Sequence, residues 1–459
     1  MSDRADEYDD VDNWEDELDD SVTDVADVNL DEELTDYNSA PQIGALPDGS
    51  GSVILSGPGA GTAVESTPTE RSNAQYRLRT RDEALTTGVP IFIVHRPHQN
   101  VALMPRLLAS VVAVTRGAVS TAASVGLPQA TDDSLTAWLA SCPVASIRLA
   151  DPFAYLQDRT VVRVPEVSDR ARKWRPYLGT TSVDVTELLD LQRGVGANLL
   201  LSSGRALDYT TPQPALDQAF TEGDDSLAEL LPNERLALNL TLPAAWLANA
   251  TLRGKLFSQL VDQEQFDVWH IRVQWPASLR SLHQPVDAEL LSGYKRLSQL
   301  AADEDRVLLL PQTGLTGWVQ LAFGAHGFGS GLFGSAQAFK EHSRGGNGHQ
   351  SEIERYFEPS LLHPVERAVH DAMRVQSGYI QCDCPYCPAL HAKTQWDHTL
   401  ARLHLMHWQG RLAGLASATG KTQEVAVRKV VRAAVQAANN QPLAGISVPR
   451  HLSAWDQLL

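Results

Sequence analysis

Three of the four cysteines in this chain fall within six residues, in Gln381-Cys382-Asp383-Cys384-Pro385-Tyr386-Cys387-Pro388. A disulfide framework spreads its cysteines along the chain to close loops, so this clustering points to a metal instead. A C-x-C-x-x-C knuckle places three thiolates on one ion, and tetrahedral zinc needs a fourth soft or borderline ligand. Three histidines of the segment "DHTLARLHLMHWQGRLAGL" are within reach: His398, His404 and His407, all on one predicted helix. His407 is the first choice and His404 the second. One helical turn separates them, so a modest rotation decides which faces the ion. Four protein ligands leave no open coordination position, which makes the expected role of Zn2+ structural rather than catalytic. Cys142 stands apart before an apolar run and reads as a core residue.

Other patterns carry less chemistry. The "GPGAG" in the stretch 38–75 lacks the strand-then-helix context of a phosphate loop, and "GLASATGKT" from Gly414 has one residue too many between its glycines. The run Arg170-Ala171-Arg172-Lys173-Trp174-Arg175 interleaves four basic residues with an indole. That composition grips a phosphate backbone while stacking a base, and it equally suits a solvated helix face over a buried Trp.

The formal charge of −18 is unevenly spread: residues 1–37 hold seventeen acidic side chains and one Arg, leaving the remainder near neutral. The acidic stretch, poor in apolar residues, is expected to form a disordered tail over 1–40, because it cannot bury enough surface to offset its ordering entropy. It reads as a solubilising arm, or as one that occupies a basic nucleic-acid groove. Residues 41–87, rich in Gly, Pro, Ser and Thr at their start, read as a low-order linker. An acidic start does not fit a signal peptide, and no apolar run approaches the roughly 18 residues of a membrane span, so no membrane association and a cytoplasmic location are expected.

The elements that must position a site begin near residue 88. Apolar runs rich in β-formers alternate with helical stretches: Val89–Val94, Val144–Leu149, Asn198–Leu201, Leu236–Leu242, Val268–Val273, Arg306–Leu310 and Trp318–Phe323, with Thr181–Val185 as a weaker candidate. Continuous apolar strands separated by helices indicate a parallel sheet covered on both faces. Seven or eight such units predict an α/β fold, a (β/α)8 TIM-like barrel over 88–345, followed by a zinc-binding helical segment over 346–459. Gln423–Ala438 is predicted as an amphipathic helix with Val427, Val430, Val431, Ala434 and Val435 on one stripe and Arg428, Lys429 and Arg432 on the other face. Residues 340–350 read as a mobile loop.

In a barrel, function sits where strands end at the C-terminal face. Asp151, immediately beyond a strong strand, is the first candidate for a nucleophile or general base, with Asp208 second. Arg205 suits a phosphate, Gln274 and Gln312 the polar edge of a base. His326 and Gly327 lie in the glycine-rich Gly324–Gly331 stretch, which resembles a late-strand phosphate cradle. The bland readings are a turn-capping Asp, a paired Arg and glycines that only permit a turn.

A C-x-C-x-x-C knuckle followed after about twenty residues by a helical histidine, placed behind a (β/α)8 barrel, resembles the tRNA-guanine transglycosylases of archaeosine and queuine type. "CDCPYC" is similar to their C-S-C-P-x-C form, and "LARLHLMHW" to the helix that carries their zinc histidine, which favours His407. The family includes relatives that insert 7-deazaguanines into DNA. The resemblance implies exchange of guanine for a modified base on DNA or tRNA through an aspartate nucleophile, with zinc serving structure alone. It spans about 88–412 and is specific at the zinc segment. Where the family presents its nucleophile near a late strand, this chain reads Ala322–Gly331 with no aspartate, and the D-S-G-G/S-F-Q base-binding element is not found. The sequence therefore frames two functions: base exchange with a relocated carboxylate such as Asp151, or a catalytically silent zinc-containing barrel that binds nucleic acid or a protein partner. A third is an unrelated barrel hydrolase or lyase.

Overall fold

The computed structural model describes residues 77–180, 183–277, 284–342, 353–417 and 421–459. The expected acidic tail, most of the linker and most of the 340–350 loop lie outside these residues. Eight parallel strands form one sheet: β1 (Ile91–His95), β2 (Ser120–Gly126), β3 (Ile147–Asp151), β4 (Leu200–Leu201), β5 (Leu236–Pro243), β6 (Val268–Gln274), β7 (Val307–Leu310) and β8 (Gly327–Ser330), in the order β3-β2-β1-β8-β7-β6-β5-β4. The β3 and β4 edges meet through Asn198. Its backbone N–H donates to the Arg148 carbonyl at 3.0 Å, and its side-chain Oδ1 accepts from the Arg148 N–H at 2.7 Å. The result is a nearly closed (β/α)8 barrel, as the sequence predicts.

Inward-facing positions alternate along each strand and form two zones. The lower zone is apolar, packed from Ile91, Ile93, Ala122, Ile147, Leu149, Leu199, Leu201, Ala237, Val268, Val307 and Leu309. Its floor is helix α1 (Arg81–Thr86), inside the segment expected to be linker. Thr80 and Glu83 form a capping box that starts the helix, and Ala84 and Leu85 plug the barrel from below. The upper zone, at the C-terminal face, is polar.

Helices α2 (Leu103–Thr115), α3 (Asp132–Ala140), α4 (Asp169–Trp174), α5 (Val185–Gly194), α6 (Pro212–Ala228), α7 (Ala250–Asp262), α8 (Ala288–Asp303) and α9 (Gly314–Gln320) lie between or beyond the strands. Six of the seven expected apolar runs are strands. The seventh, Trp318–Phe323, is the end of α9 and a 3-10 turn, and Val185 begins a helix rather than a strand. Two strands escape the sequence reading, β2 (STAASVG) and β8 (GFGS), because small residues replace the β-branched and aromatic side chains that mark a strand. Small residues are required there: a Cβ on Gly327 would lie 2.8 Å from the Ile91 carbonyl oxygen.

The C-terminal part begins with the antiparallel hairpin β9 (Arg355–Glu358) and β10 (His363–Glu366). It continues through α10 (Arg367–Arg374), α11 (Cys387–Ala392), α12 (His398–Leu415), α13 (Lys421–Asn439) and α14 (His451–Leu458). Asp397 caps α12 by accepting from the Leu400 N–H at 2.9 Å. Helix α12 is buried along most of its length and packs directly on α2. A Cβ on Gly410 would sit 2.6 Å from Val111, so the glycine sets the approach of the two helices. Helix α13 buries Val427, Val430, Val431 and Ala434 as its pattern predicts. On its polar face Arg428 pairs with Glu424, and Arg432 pairs with Asp456 at 3.2 Å.

Candidate metal centre and barrel mouth

The cysteine knuckle leads from an extended segment into α11, and α12 brings a histidine to it. Cys382, Cys384, Cys387 and His404 place their ligand atoms within 4.8 Å of one another. His404 Nδ1 lies 3.2 Å from Cys384 Sγ, 3.3 Å from Cys387 Sγ and 3.8 Å from Cys382 Sγ, and Cys384 and Cys387 are 3.3 Å apart. Tetrahedral zinc with ordinary bond lengths would separate such atoms by about 3.5–3.8 Å. The cluster therefore has the size and donor set to bind a metal ion.

Outer contacts orient His404, Cys382 and Cys387. His404 Nε2 donates to the Phe357 carbonyl at 2.7 Å, which fixes the tautomer that turns the Nδ1 lone pair toward the sulfurs. Cys382 Sγ accepts from Trp408 Nε1–H at 3.1 Å and from the Cys384 N–H at 3.4 Å. Hydrogen bonds from Cys384 and Cys387 hold the Cys382 thiol well below its usual range. The Tyr356 hydroxyl lies 3.2 Å from Cys387 Sγ. One correction follows for the sequence reading: His404, not His407, faces the cysteines. His407 is rotated toward the barrel, with Nδ1 2.8 Å from Ser110 Oγ on α2. Burial pushes its pKa down to about 3, so it is neutral. His398, at the first turn of α12, is outside the cluster.

At the barrel mouth, Asp151 from β3 and Arg272 from β6 form an ion pair in which Asp151 is 1% exposed and Arg272 is 0% exposed. Arg272 also donates to Gln312 Oε1 at 2.6 Å and Thr241 Oγ1 at 3.2 Å. Its guanidinium lies 4.9–5.7 Å from the ring centres of Tyr155, Phe153 and Phe339, which roof the interior. Asp151 accepts from the Phe153 N–H at 3.0 Å and faces Asn239 Nδ2 at 3.4 Å. Burial raises the Asp151 pKa, but Arg272, His270 and the Phe153 amide together carry it below the ordinary carboxylate value.

Asn239 Oδ1 accepts from His270 Nδ1 at 2.8 Å, leaving the buried His270 Nε2 without a partner. His95 Nε2 accepts from the Gln312 N–H at 3.3 Å. Burial first, then Arg272, lowers His95 to about 3; burial lowers His270 to about 4 against the pull of Asp151. Gln312 holds a left-handed φ of 51°, a strained conformation of the kind found at functional sites. A cavity at this mouth, lined by His95, Ser124, Gln129, Gln312 and Ser335, offers about 30 Å3, room for water.

The structure separates the other expected site residues. Asp208 accepts from the N–H and hydroxyl of Thr210 at 2.8 and 2.7 Å, the geometry of a turn before α6. Arg205 is held by Asp158 at 2.6 Å. Gln274 bonds both the N–H and the carbonyl of Arg163, tying down a loop over the mouth. Gln312 joins the interior network through Arg272. His326 and Gly327 lie at the opposite end of the barrel, where the His326 carbonyl accepts from the Ile91 N–H at 2.8 Å. Their displacement follows from the helix at Trp318–Phe323, which makes His326 precede the last strand rather than follow it. Sequence reading missed Arg272, His270 and Asn239, although the alternation His270-Ile271-Arg272-Val273-Gln274 marks one polar face of a strand.

No protein-family model matches this chain, and no curated protein matches it significantly. Fold and site define its class: a nearly closed (β/α)8 barrel joined to a C-terminal unit whose Cys3His cluster could bind a metal ion.

Proposed function

We propose that this protein is a zinc-stapled, transglycosylase-like barrel that binds nucleic acid without exchanging its bases. The observation that carries this reading is the Asp151–Arg272 pair. A nucleophilic carboxylate must be free to attack and open to substrate, whereas Asp151 is neutralised by Arg272 beneath three aromatic rings. Among the described residues, no second carboxylate joins it in the barrel interior. Where a late strand could present an aspartate, β8 reads Gly327-Phe328-Gly329-Ser330. A Cβ on Gly329 would lie 2.6 Å from His95 Nε2.

Zinc fits the three thiolates and one imidazole, and its part is structural. Four protein ligands complete a tetrahedral shell and leave no position for substrate. The nucleic-acid side of the proposal rests on Arg170 and Lys173, which are exposed on α4, and on Trp174, whose ring lies 6.0 Å from the Arg170 guanidinium. This helix lies beyond β3 at the C-terminal face.

The test pairs fluorescence anisotropy of labelled tRNA and duplex DNA at several salt concentrations with incorporation of labelled guanine. Salt-dependent binding without incorporation is expected. Guanine incorporation that Asp151→Asn abolishes would establish the enzyme reading in its place.

A further inference from the structure

The rim of the barrel between β1 and α3 holds a buried cation that no carboxylate among the described residues balances. Arg96 directly follows β1, is 8% exposed, and continues the ladder by donating its backbone N–H to the Ser124 carbonyl at 2.8 Å. His95 faces the interior, so Arg96 faces outward to α3, where Nη2 donates to Ser134 Oγ at 3.0 Å. Its Nε is buried without a hydrogen-bond partner. Among the described residues no carboxylate pairs with Arg96, whereas the comparably buried Arg175 and Arg272 pair with Asp132 and Asp151. Burial alone draws the Arg96 pKa downward. An unpaired buried charge is costly, and an orphaned buried donor calls for a ligand.

The helix beside it lacks a side-chain cap. Thr131, the N-cap of α3, makes no side-chain capping bond, so first-turn N–H groups are left to other acceptors. The Asp132 carboxylate in that turn is engaged by Arg175. Ser134 accepts from Arg96 and is half-buried, which leaves its own O–H to donate.

We propose that Arg96, Ser134 and the first turn of α3 form a binding site for a phosphate group. Guanidinium, hydroxyl and helix-terminal amides are the donors that tetrahedral oxyanions take. The nucleic-acid reading given above supplies one source for the phosphate, and on that source the inference rests on that reading. Arg175, at the end of α4, donates to the Leu127 carbonyl at 2.9 Å and binds Asp132, which docks α4 beside the same rim.

Thermal unfolding of the full chain tests the site, with inorganic phosphate against chloride at matched ionic strength. Phosphate at a hundred times its dissociation constant should raise the wild-type Tm by about 3 °C. Arg96→Met should unfold at the same or a higher temperature than wild type without phosphate, since it removes an unbalanced charge, and should lose the phosphate shift. A full phosphate shift in Arg96→Met would overturn the proposal, as would destabilisation of that variant in chloride, which marks an arginine kept for structure. Should Arg96→Met fail to fold, Ser134→Ala carries the test: a weakened shift supports the site and an unchanged one refutes it. Anisotropy then separates the sources. Loss of one phosphate contact should lower the log–log salt slope by about 0.9 for duplex DNA. An unchanged slope with the phosphate shift lost would leave the anion site standing and assign it to a free phosphate ligand.

Discussion

Replacing Asp151 with Asn separates a structural carboxylate from a catalytic one, because the two roles predict opposite changes in stability. In the wild type, Asp151 and Arg272 are both excluded from water and each is further hydrogen-bonded. Asn keeps the shape and can still accept from the Phe153 N–H, but it leaves the guanidinium charged beneath Phe153, Tyr155 and Phe339 with no counter-charge. Breaking a buried pair in this way costs about 3–5 kcal/mol. For an ordered body of this size that corresponds to a Tm lower by roughly 4–6 °C. Replacing both partners with apolar residues, Asp151→Leu with Arg272→Met, should recover most of the loss, since the cost arises from the stranded charge rather than from the absence of the pair. Differential scanning calorimetry of the three variants measures this directly. A carboxylate kept for chemistry behaves otherwise: its removal leaves stability unchanged or raises it while abolishing activity. An Asp151→Asn protein as stable as wild type would refute the structural assignment.

Two further outcomes follow from the same residues. His95 and His270, with pKa values of about 3 and about 4 in the folded chain against 6.5 when unfolded, bind protons more readily after unfolding, so stability should fall as pH drops below about 6.5. Each contributes up to roughly 1.4 kcal/mol per pH unit between that point and its folded value. A Tm that stays flat from pH 7 to pH 5 would contradict their burial in the neutral form. At the metal centre, His404→Ala should lose bound zinc by elemental analysis, as Cys384→Ser should. His407→Ala should keep the metal and lose about 1 kcal/mol from its bond to Ser110; the reverse pattern would restore His407 as the ligand.

How far the sequence could be read depended on what each residue's neighbours supply. The knuckle was legible because metal coordination is local: three thiols at fixed spacing suffice whatever surrounds them. The choice between His404 and His407 was not, because the rotation of α12 is set by distant contacts, notably Gly410 against Val111 and Trp318 Nε1 donating to the Leu412 carbonyl at 2.9 Å. Strands rich in Leu, Ile and Val announced themselves, while β2 and β8 were hidden by the small residues that their crowded neighbours require. Arg272 was overlooked because it lies within a strand and does not stand beyond its end, so a search outward from strand ends passed over it. Asp151 was found by that search, but its partner, and hence its role, lies 121 residues away.

The glycines of β8 and the interior ion pair are consequences of one packing arrangement. The space that a side chain at Gly329 would need is taken by His95 Nε2 at 2.6 Å and the Gln312 backbone nitrogen at 3.0 Å. His95 sits there because it accepts the Gln312 N–H, and Gln312 in turn accepts from Arg272, which balances Asp151. An aspartate at 329 would have to displace His95, and with it the strained turn at Gln312 that orients Arg272. It would also place a second carboxylate in a barrel interior where, among the described residues, Asp151 is already paired with Arg272. A carboxylate therefore could not be installed on β8 by a single substitution: the late-strand position, the Gln312 turn and the Asp151–Arg272 pair would have to change together.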